Sequence, residues 1–243
     1  MLCVQGGFNM SESNLPEFDR YADRYTDLHR ASIRASGEEP SYFSGYKAQY
    51  MAATCAKRLL DGPIDVLDFG CGVGNSIPHL REAFPRARLH GVDPSGESID
   101  LAKRVHAKEA TFRANTGELL PYDDQSFDLV QVACVFHHVK PEQRDGWMRE
   151  IKRVLRPGGQ LFVFEHNVLN PLTVKSVHGC PFDEDAILLP RRELVRRANV
   201  ARFSDVRARY IVFFPAPLKL FRPLEPWLGF VPFGAQYVVR AVA

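Results

Sequence analysis

The chain has no closely spaced cysteine pair. Cys3, Cys55, Cys71, Cys134 and Cys180 are odd in number and scattered over 243 residues. That spacing offers neither a zinc knuckle nor a redox pair and suits a reducing, cytoplasmic setting. No run of 18 apolar residues occurs. The tract "FPAPLKLFRPLEPWLGFVPFG" (214–234) is interrupted by five prolines, Lys219, Arg222 and Glu225, so a membrane-spanning helix is not expected. The opening "MLCVQGGFNMSESNLPEF" lacks a basic segment followed by an apolar one and does not read as a secretion signal. Large charge excess is missing too: a net charge of +2 argues against a polyanion binder working through many phosphate contacts. Internal repeats and low-complexity tracts are absent.

With 45% hydrophobic and 25% charged residues, the composition is that of a globular protein large enough for one sizeable core. Residues 1–60 read as an aromatic-rich helical segment preceding any sheet. From Ile64 the pattern changes to short β-like runs separated by helical stretches. "IDVLDFG", "ARLHGVD", "ATFRAN", "FDLVQVACV" and "GQLFVFEH" read as strands, with helices over 75–84, 96–107 and 142–155. After "RRELVRRANV" come two more strands, "DVRARYIVFF" and "AQYVVRAVA". Alternation of this kind predicts an α/β fold with a mostly parallel sheet covered by helices on both faces. Ligands in such sheets lie at the carboxyl ends of strands, where strand order reverses.

At the end of the first strand stands "VLDFGCGVGNS". Gly70, Gly72 and Gly74 allow the backbone to turn and pass close to a ligand. The dinucleotide fingerprint GxGxxG would place its last glycine where this chain has Asn75, so the spacing is wrong for a nicotinamide dinucleotide. Asp68, inside the strand, would repel a pyrophosphate and attract an ammonium group. Asp93, closing the second strand, can accept both hydroxyls of a ribose. Together they suggest an aminoacyl nucleoside. Asp93 in "DPSGE" is also a candidate helix N-cap.

"VLDFGCGVGNS" and "LHGVDPSGESIDLAK" resemble the first two motifs of class I S-adenosylmethionine-dependent methyltransferases, while "TGELLPYDDQSFDLVQVACVFHHV" and "EIKRVLRPGGQLFVFEH" resemble the two that follow. The resemblance runs over residues 64–166 and is of the methyltransferase type 11-like kind, in its bacterial small-molecule subgroup. It implies a Rossmann-like, seven-stranded sheet with an antiparallel last strand. It further implies an enzyme that converts S-adenosyl-L-methionine to S-adenosyl-L-homocysteine while methylating an acceptor. By the same resemblance Asp68, Gly70, Cys71, Gly72 and Asn75 surround the methionine end of the cofactor. Asp93 takes the ribose hydroxyls, Thr116 and Gly117 flank the adenine, the backbone at Ala133 and Cys134 lies beneath the methionine moiety, and Pro94 and His138 are further cofactor-binding residues. Many relatives have an aspartate where this chain has Thr116, so the adenine contact is expected to be led by the backbone. Residues 1–60 would cap the cofactor site, with Tyr25 and Lys47 reaching it, and residues 61–243 would form the catalytic domain, with a substrate-side insertion at about 167–190.

Methyl transfer needs alignment more than acid or metal chemistry, and no metal is expected. A hydroxyl or weakly acidic nitrogen acceptor also needs a base within hydrogen-bond reach. His137, Glu165 and His166 are the candidates, while His138 is read as supporting loop and cofactor. Tyr21, Tyr46, His137, His178, Phe182 and Phe214 are candidate lining residues for the acceptor. The His178 and Cys180 pair alone has too few ligands for a zinc site. Arg191, Arg192, Arg196 and Arg197 read as a solvated helix face. No Asn-Pro-Pro-Tyr-like sequence of the amino-methylating nucleic-acid enzymes follows the fourth strand. The expected acceptor is a small molecule, a natural-product or sugar-related intermediate methylated at O or N. Nucleic-acid or protein methylation and a non-catalytic cofactor-binding module are the alternatives, and monomer and homodimer remain open.

Overall fold

A computed structural model describes residues 33–243 except 61, 181, 182 and 184. Seven strands form one sheet: β1 (Asp65–Phe69), β2 (Arg88–Asp93), β3 (Ala110–Ala114), β4 (Phe127–Ala133), β5 (Leu155–His166), β6 (Ser204–Ile211) and β7 (Gln236–Val242). Their order is β3-β2-β1-β4-β5-β7-β6. The first five are parallel to one another, and β7 runs antiparallel between β5 and β6. All seven expected strands are present. Strand β5 begins earlier than its pattern suggests, at Leu155, because Leu155 pairs with Phe127 of β4 and the Pro-Gly-Gly segment then forms an irregularity before the ladder resumes at Leu129 and Gln160.

Seven helices accompany the sheet among the described residues: α1 (Pro40–Thr54), α2 (Ile77–Ala83), α3 (Gly96–His106), α4 (Arg144–Val154), α5 (Pro171–His178), α6 (Arg191–Val200) and the single turn α7 (Glu225–Leu228). A 3₁₀ segment, Ala216–Leu224, precedes α7, which is how the proline-rich tract is accommodated without a long helix. No helix among the described residues is long and apolar enough to cross a membrane. Side-chain alternation along the strands separates two cores. Leu67, Phe69, Val130, Val132, Leu161 and Val163 pack with Met148, Ile151 and Val154 of α4 and Leu194 and Ala198 of α6. Val66, Leu129, Phe162 and Phe164 pack with Ala48 and Met51 of α1, Ile77 and Leu80 of α2, and Ile99 and Ala102 of α3. Because both faces are covered, β1 is buried at every position.

The chain leaves β1 toward β2 and β3 and returns on the other side as β4. The crevice between the carboxyl ends of β1 and β4 is therefore the switch point of the sheet. The first 32 residues, with Tyr21 and Tyr25 and much of the expected helical cap, lie outside the described residues.

Candidate functional site

A cavity of about 1310 Å³ opens at this switch point. One wall is the turn after β1. Gly70 has φ +74°, and a Cβ there would come within 2.4 Å of Val135, so this glycine is required by packing. Gly72, at φ +51°, would direct a Cβ into open space, so this part of the turn leaves room for a ligand. Gly70 and Cys71 donate their backbone N–H groups to Val92 O at 2.8 and 3.1 Å, fastening the turn to the end of β2. Asp93 completes the fastening: its Oδ2 accepts from Gly72 N at 2.8 Å and its Oδ1 from Ser95 N at 2.9 Å. The helix cap is Ser95, whose hydroxyl accepts from Ser98 N at 3.0 Å, and not Asp93. That leaves Asp93 lining the cavity.

Asp68 is 2% exposed and paired in register with Gln131 on β4. Its Oδ1 accepts from Gln131 Nε2 at 3.0 Å, while its Oδ2 is buried without a hydrogen-bond partner. Burial pushes its pKa up to about 6, the negative charge of Asp93 adding to the effect and the Gln131 hydrogen bond opposing it. A buried carboxylate oxygen with no partner invites a cationic donor. Lys47 on α1, itself buried, lines the same space. An amino acid's ammonium and carboxylate would find complementary charges here, and Asp93 provides a carboxylate for a ribose farther along. The residues present fit an aminoacyl nucleoside.

The opposite end is built from the loop after β4 and the end of β5. Cys134 leaves β4 with φ +58°, an uncommon conformation for a residue with a side chain, and is locked by its N–H to Phe164 O at 2.8 Å. Burial raises the Cys71 and Cys134 thiols, which makes both packing residues rather than nucleophiles. Glu165 is wholly enclosed. Its Oε1 accepts from Val135 N and Phe136 N at 3.0 and 2.7 Å, and its Oε2 meets His137 Nδ1 at 2.7 Å. Asp183 faces the other side of the imidazole, with its Oδ1 3.4 Å from His137 Nε2 and 3.2 Å from His138 Nε2. Burial alone would lower the His137 pKa, but Glu165 and Asp183 reverse this and raise it. His166, its ring 5.0 Å from that of His137, is driven down to about 4 by burial and then by the neighbouring His137 charge. His166 is neutral at pH 7.

Asp183 reaches this cluster because its loop is pinned. Ile187 N donates to His137 O at 2.8 Å. The buried Arg144 guanidinium donates to Val139 O, Ile187 O and Glu193 Oε1 at 2.9, 2.7 and 3.0 Å. Upstream, Asn167 donates to Pro232 O and Gly234 O, and Asn170 caps α5 while donating to Phe233 O. The insertion is thus tied at both ends to the frame around the cavity.

Of the residues singled out in the sequence, Lys47, Asp68, Gly70, Cys71, Gly72, Asn75, Asp93, Pro94, Thr116, Gly117, Ala133, Cys134, His137, His138 and His166 line the cavity. Glu165 does not: both of its oxygens are engaged, so it braces His137 and the loop instead of facing an acceptor. Tyr46 also points elsewhere, donating its hydroxyl to Glu225 Oε2 at 2.9 Å. Phe214 packs on Phe221, with ring centroids 5.7 Å apart, and His178 lies exposed at the end of α5. None of these three belongs to the cavity wall. Phe182 lies outside the described residues. Asp183, Ser176, Val177 and Gln236 line the cavity without having been singled out. Arg197, read as solvated, is buried and bonded to Glu193 and Asp145.

Residues 66–159 match the family model described as a methyltransferase domain. The demethylmenaquinone methyltransferase of Deinococcus radiodurans is 33% identical over 180 residues, covering 72% of this chain and 72% of that protein. With this match, the chain belongs to the class I S-adenosylmethionine-dependent methyltransferases and is an S-adenosylmethionine-dependent enzyme of that family. A malonyl-[acyl-carrier protein] O-methyltransferase of Hahella chejuensis is 38% identical over 149 residues, 56% of this chain and 52% of that one. The fold is also that of a crystal structure of an S-adenosylmethionine-dependent methyltransferase from Thermotoga maritima, with a TM-score of 0.62 and 20% identity over 93% of this chain and 98% of that one.

Proposed function

We propose that this enzyme methylates an oxygen or nitrogen nucleophile of a small molecule held between Cys134, His166 and the Asp183 loop. The observation that carries this reading is the shape and chemistry of the cavity. At about 1310 Å³ it exceeds what one drug-sized ligand needs, and its far end is walled by imidazoles on fixed supports. Acidic Glu39, Glu118 and Glu142 share its lining with Lys47, Arg149 and Arg153, so among the described residues no basic channel favours a nucleic-acid backbone. One of the similar proteins named above is an O-methyltransferase, which favours oxygen as the acceptor atom.

Bound S-adenosylmethionine supplies an electrophilic methyl group on a positively charged sulfur. Asp68 and Lys47 would hold the charged ends of its amino acid moiety, and Asp93 would accept from the ribose. His166, neutral and facing the cavity, accepts the acceptor's proton on an imidazole nitrogen as the oxygen-to-carbon bond forms. The electron pair of the broken carbon–sulfur bond stays on sulfur. Glu165 keeps His137 oriented and takes no proton.

The test measures S-adenosylhomocysteine formation with panels of small hydroxy and amino compounds, RNA, DNA and protein extracts, for wild type and His166→Ala. Turnover on a small hydroxy compound is expected, reduced about 10²-fold or more in the variant while S-adenosylhomocysteine binds unchanged. Turnover confined to a macromolecule, or a variant with wild-type turnover, refutes the reading.

A further inference from the structure

The far end of the cavity brings three ligating atoms together on one point. His137 Nε2, His138 Nε2 and Asp183 Oδ1 lie within 4.8 Å of one another, with the carboxylate oxygen 3.4 and 3.2 Å from the two nitrogens. Ligands bound about 2.1 Å from a metal stand about 3.0 Å apart when adjacent in an octahedron and about 3.4 Å apart in a tetrahedron. The two oxygen–nitrogen spacings are those of adjacent ligands in a coordination sphere.

A protonated His137 holds this arrangement, donating Nδ1–H to Glu165 Oε2 at 2.7 Å and directing Nε2–H at Asp183 Oδ1. A divalent ion that displaced the Nε2 proton would engage both imidazoles and the carboxylate together. The carboxylate bonded to the far nitrogen of a ligating histidine is also the usual outer support of a metal site. Glu165, held by two backbone N–H groups, supplies that support in a rigid form. Two enclosed carboxylates, Glu165 and Asp183, provide the negative charge a divalent ion needs.

We infer that His137, His138 and Asp183 bind one divalent transition-metal cation at the acceptor end of the cavity. Two imidazoles and a carboxylate select zinc, manganese, iron or cobalt over magnesium or calcium, which prefer all-oxygen sites. Three protein ligands leave positions open toward the cavity. The acceptor class that fits is a hydroxyl compound with a second oxygen on the adjacent carbon, such as a vicinal diol, catechol or α-hydroxy carbonyl, bound through both oxygens. This rests on the small-molecule reading above and gives it a substrate class. The cation is set by Asp183 from the insertion, not by the His178 and Cys180 spacing.

The experiment uses the untagged full chain freed of metal with a chelator and titrated with Co²⁺ alone. Visible absorption and calorimetry are recorded for wild type, Asp183→Asn and His137→Gln, with S-adenosylhomocysteine binding as a separate measurement on each. One equivalent of Co²⁺ with a ligand-field band is expected for wild type, weakened at least tenfold in both variants. An unchanged Co²⁺ isotherm in Asp183→Asn, or no binding by wild type, overturns the inference. If S-adenosylhomocysteine binds normally in that case, the methyltransferase reading stands without the metal, and its loss in wild type would count against that reading instead.

Discussion

Replacing Asp68 with asparagine should make the protein more stable and a poorer binder of its cofactor. In the folded chain the Asp68 carboxyl is pushed from 3.8 to about 6, chiefly by burial. Its pKa is higher folded than unfolded, so its contribution to stability is fully present below pH 3.8 and is lost as pH rises through 6. At pH 7, well above both values, the ionised group therefore costs about 3 kcal/mol. Asparagine keeps an oxygen for Gln131 Nε2 but brings an N–H₂ group where Oδ2 now lies without a partner, a burial that returns about 1 to 2 kcal/mol. The net gain is about 1 to 2 kcal/mol, a rise of roughly 2 to 8 °C in melting temperature for a chain of this size. The same exchange removes a charge-assisted bond to the cofactor ammonium, about 1.5 to 3 kcal/mol or roughly 10- to 100-fold in affinity. Thermal melts and calorimetry with S-adenosylhomocysteine at pH 5, 6 and 7 measure both effects. Wild-type affinity should fall toward pH 5 as Asp68 takes up a proton, and the variant's should stay flat. A variant that binds as tightly as wild type, or melts lower, refutes the account of Asp68.

Asp93→Ala should weaken S-adenosylhomocysteine binding by about 2 kcal/mol, roughly 30-fold, through loss of the ribose acceptor. It should also lower stability by about 1 to 2 kcal/mol, because the Gly72 and Ser95 N–H groups lose their acceptor, and unchanged calorimetry and melts would contradict both roles. Asp65 tests the frame below the site. Burial works to raise its pKa, but hydrogen bonds from Arg88 and Arg156 overcome this and hold it at about 2. Arg88 is 68% exposed, so solvent screens the pair and its contribution to stability is small. With the folded pKa depressed, that contribution is present above pH 3.8 and disappears as pH falls toward 2. Asp65→Asn should accordingly unfold at lower urea than wild type at pH 7 and at the same urea at pH 2.

The donor half of the cavity was readable because its chemistry is local. Three glycines and an acid within seven residues have few uses, and the strand that leads into them is short and buried at every position. Asp183 left no such trace. It lies in an insertion without periodicity, and backbone bonds to Cys180 and Ala186 together with those of Ile187 and Arg144 bring it to the histidines. Gln131 and Gln236 were missed for a related reason, as single polar residues in apolar strands whose partners come from neighbouring strands. Glu165 was read as a base because it is an acid at a strand end, yet both oxygens serve the loop that begins with Val135. Tyr46 and Phe214 show the opposite error. Aromatic spacing suggested a ligand pocket, whereas Tyr46 and the backbone N–H groups of Phe213 and Phe214 converge on the buried Glu225.

The tethering of the insertion has an engineering consequence. On the function proposed above, donor recognition resides in β1, β2 and their turns, while Ser176, Val177 and Asp183, which lie between two fixed anchors, Asn167 and Arg144's contact at Ile187, line the acceptor end. A replacement of residues 171–186 that leaves those anchors intact exchanges this part of the cavity wall as a cassette. Acceptor choice can then diverge among descendants of this chain while the sheet and its donor turn remain common stock.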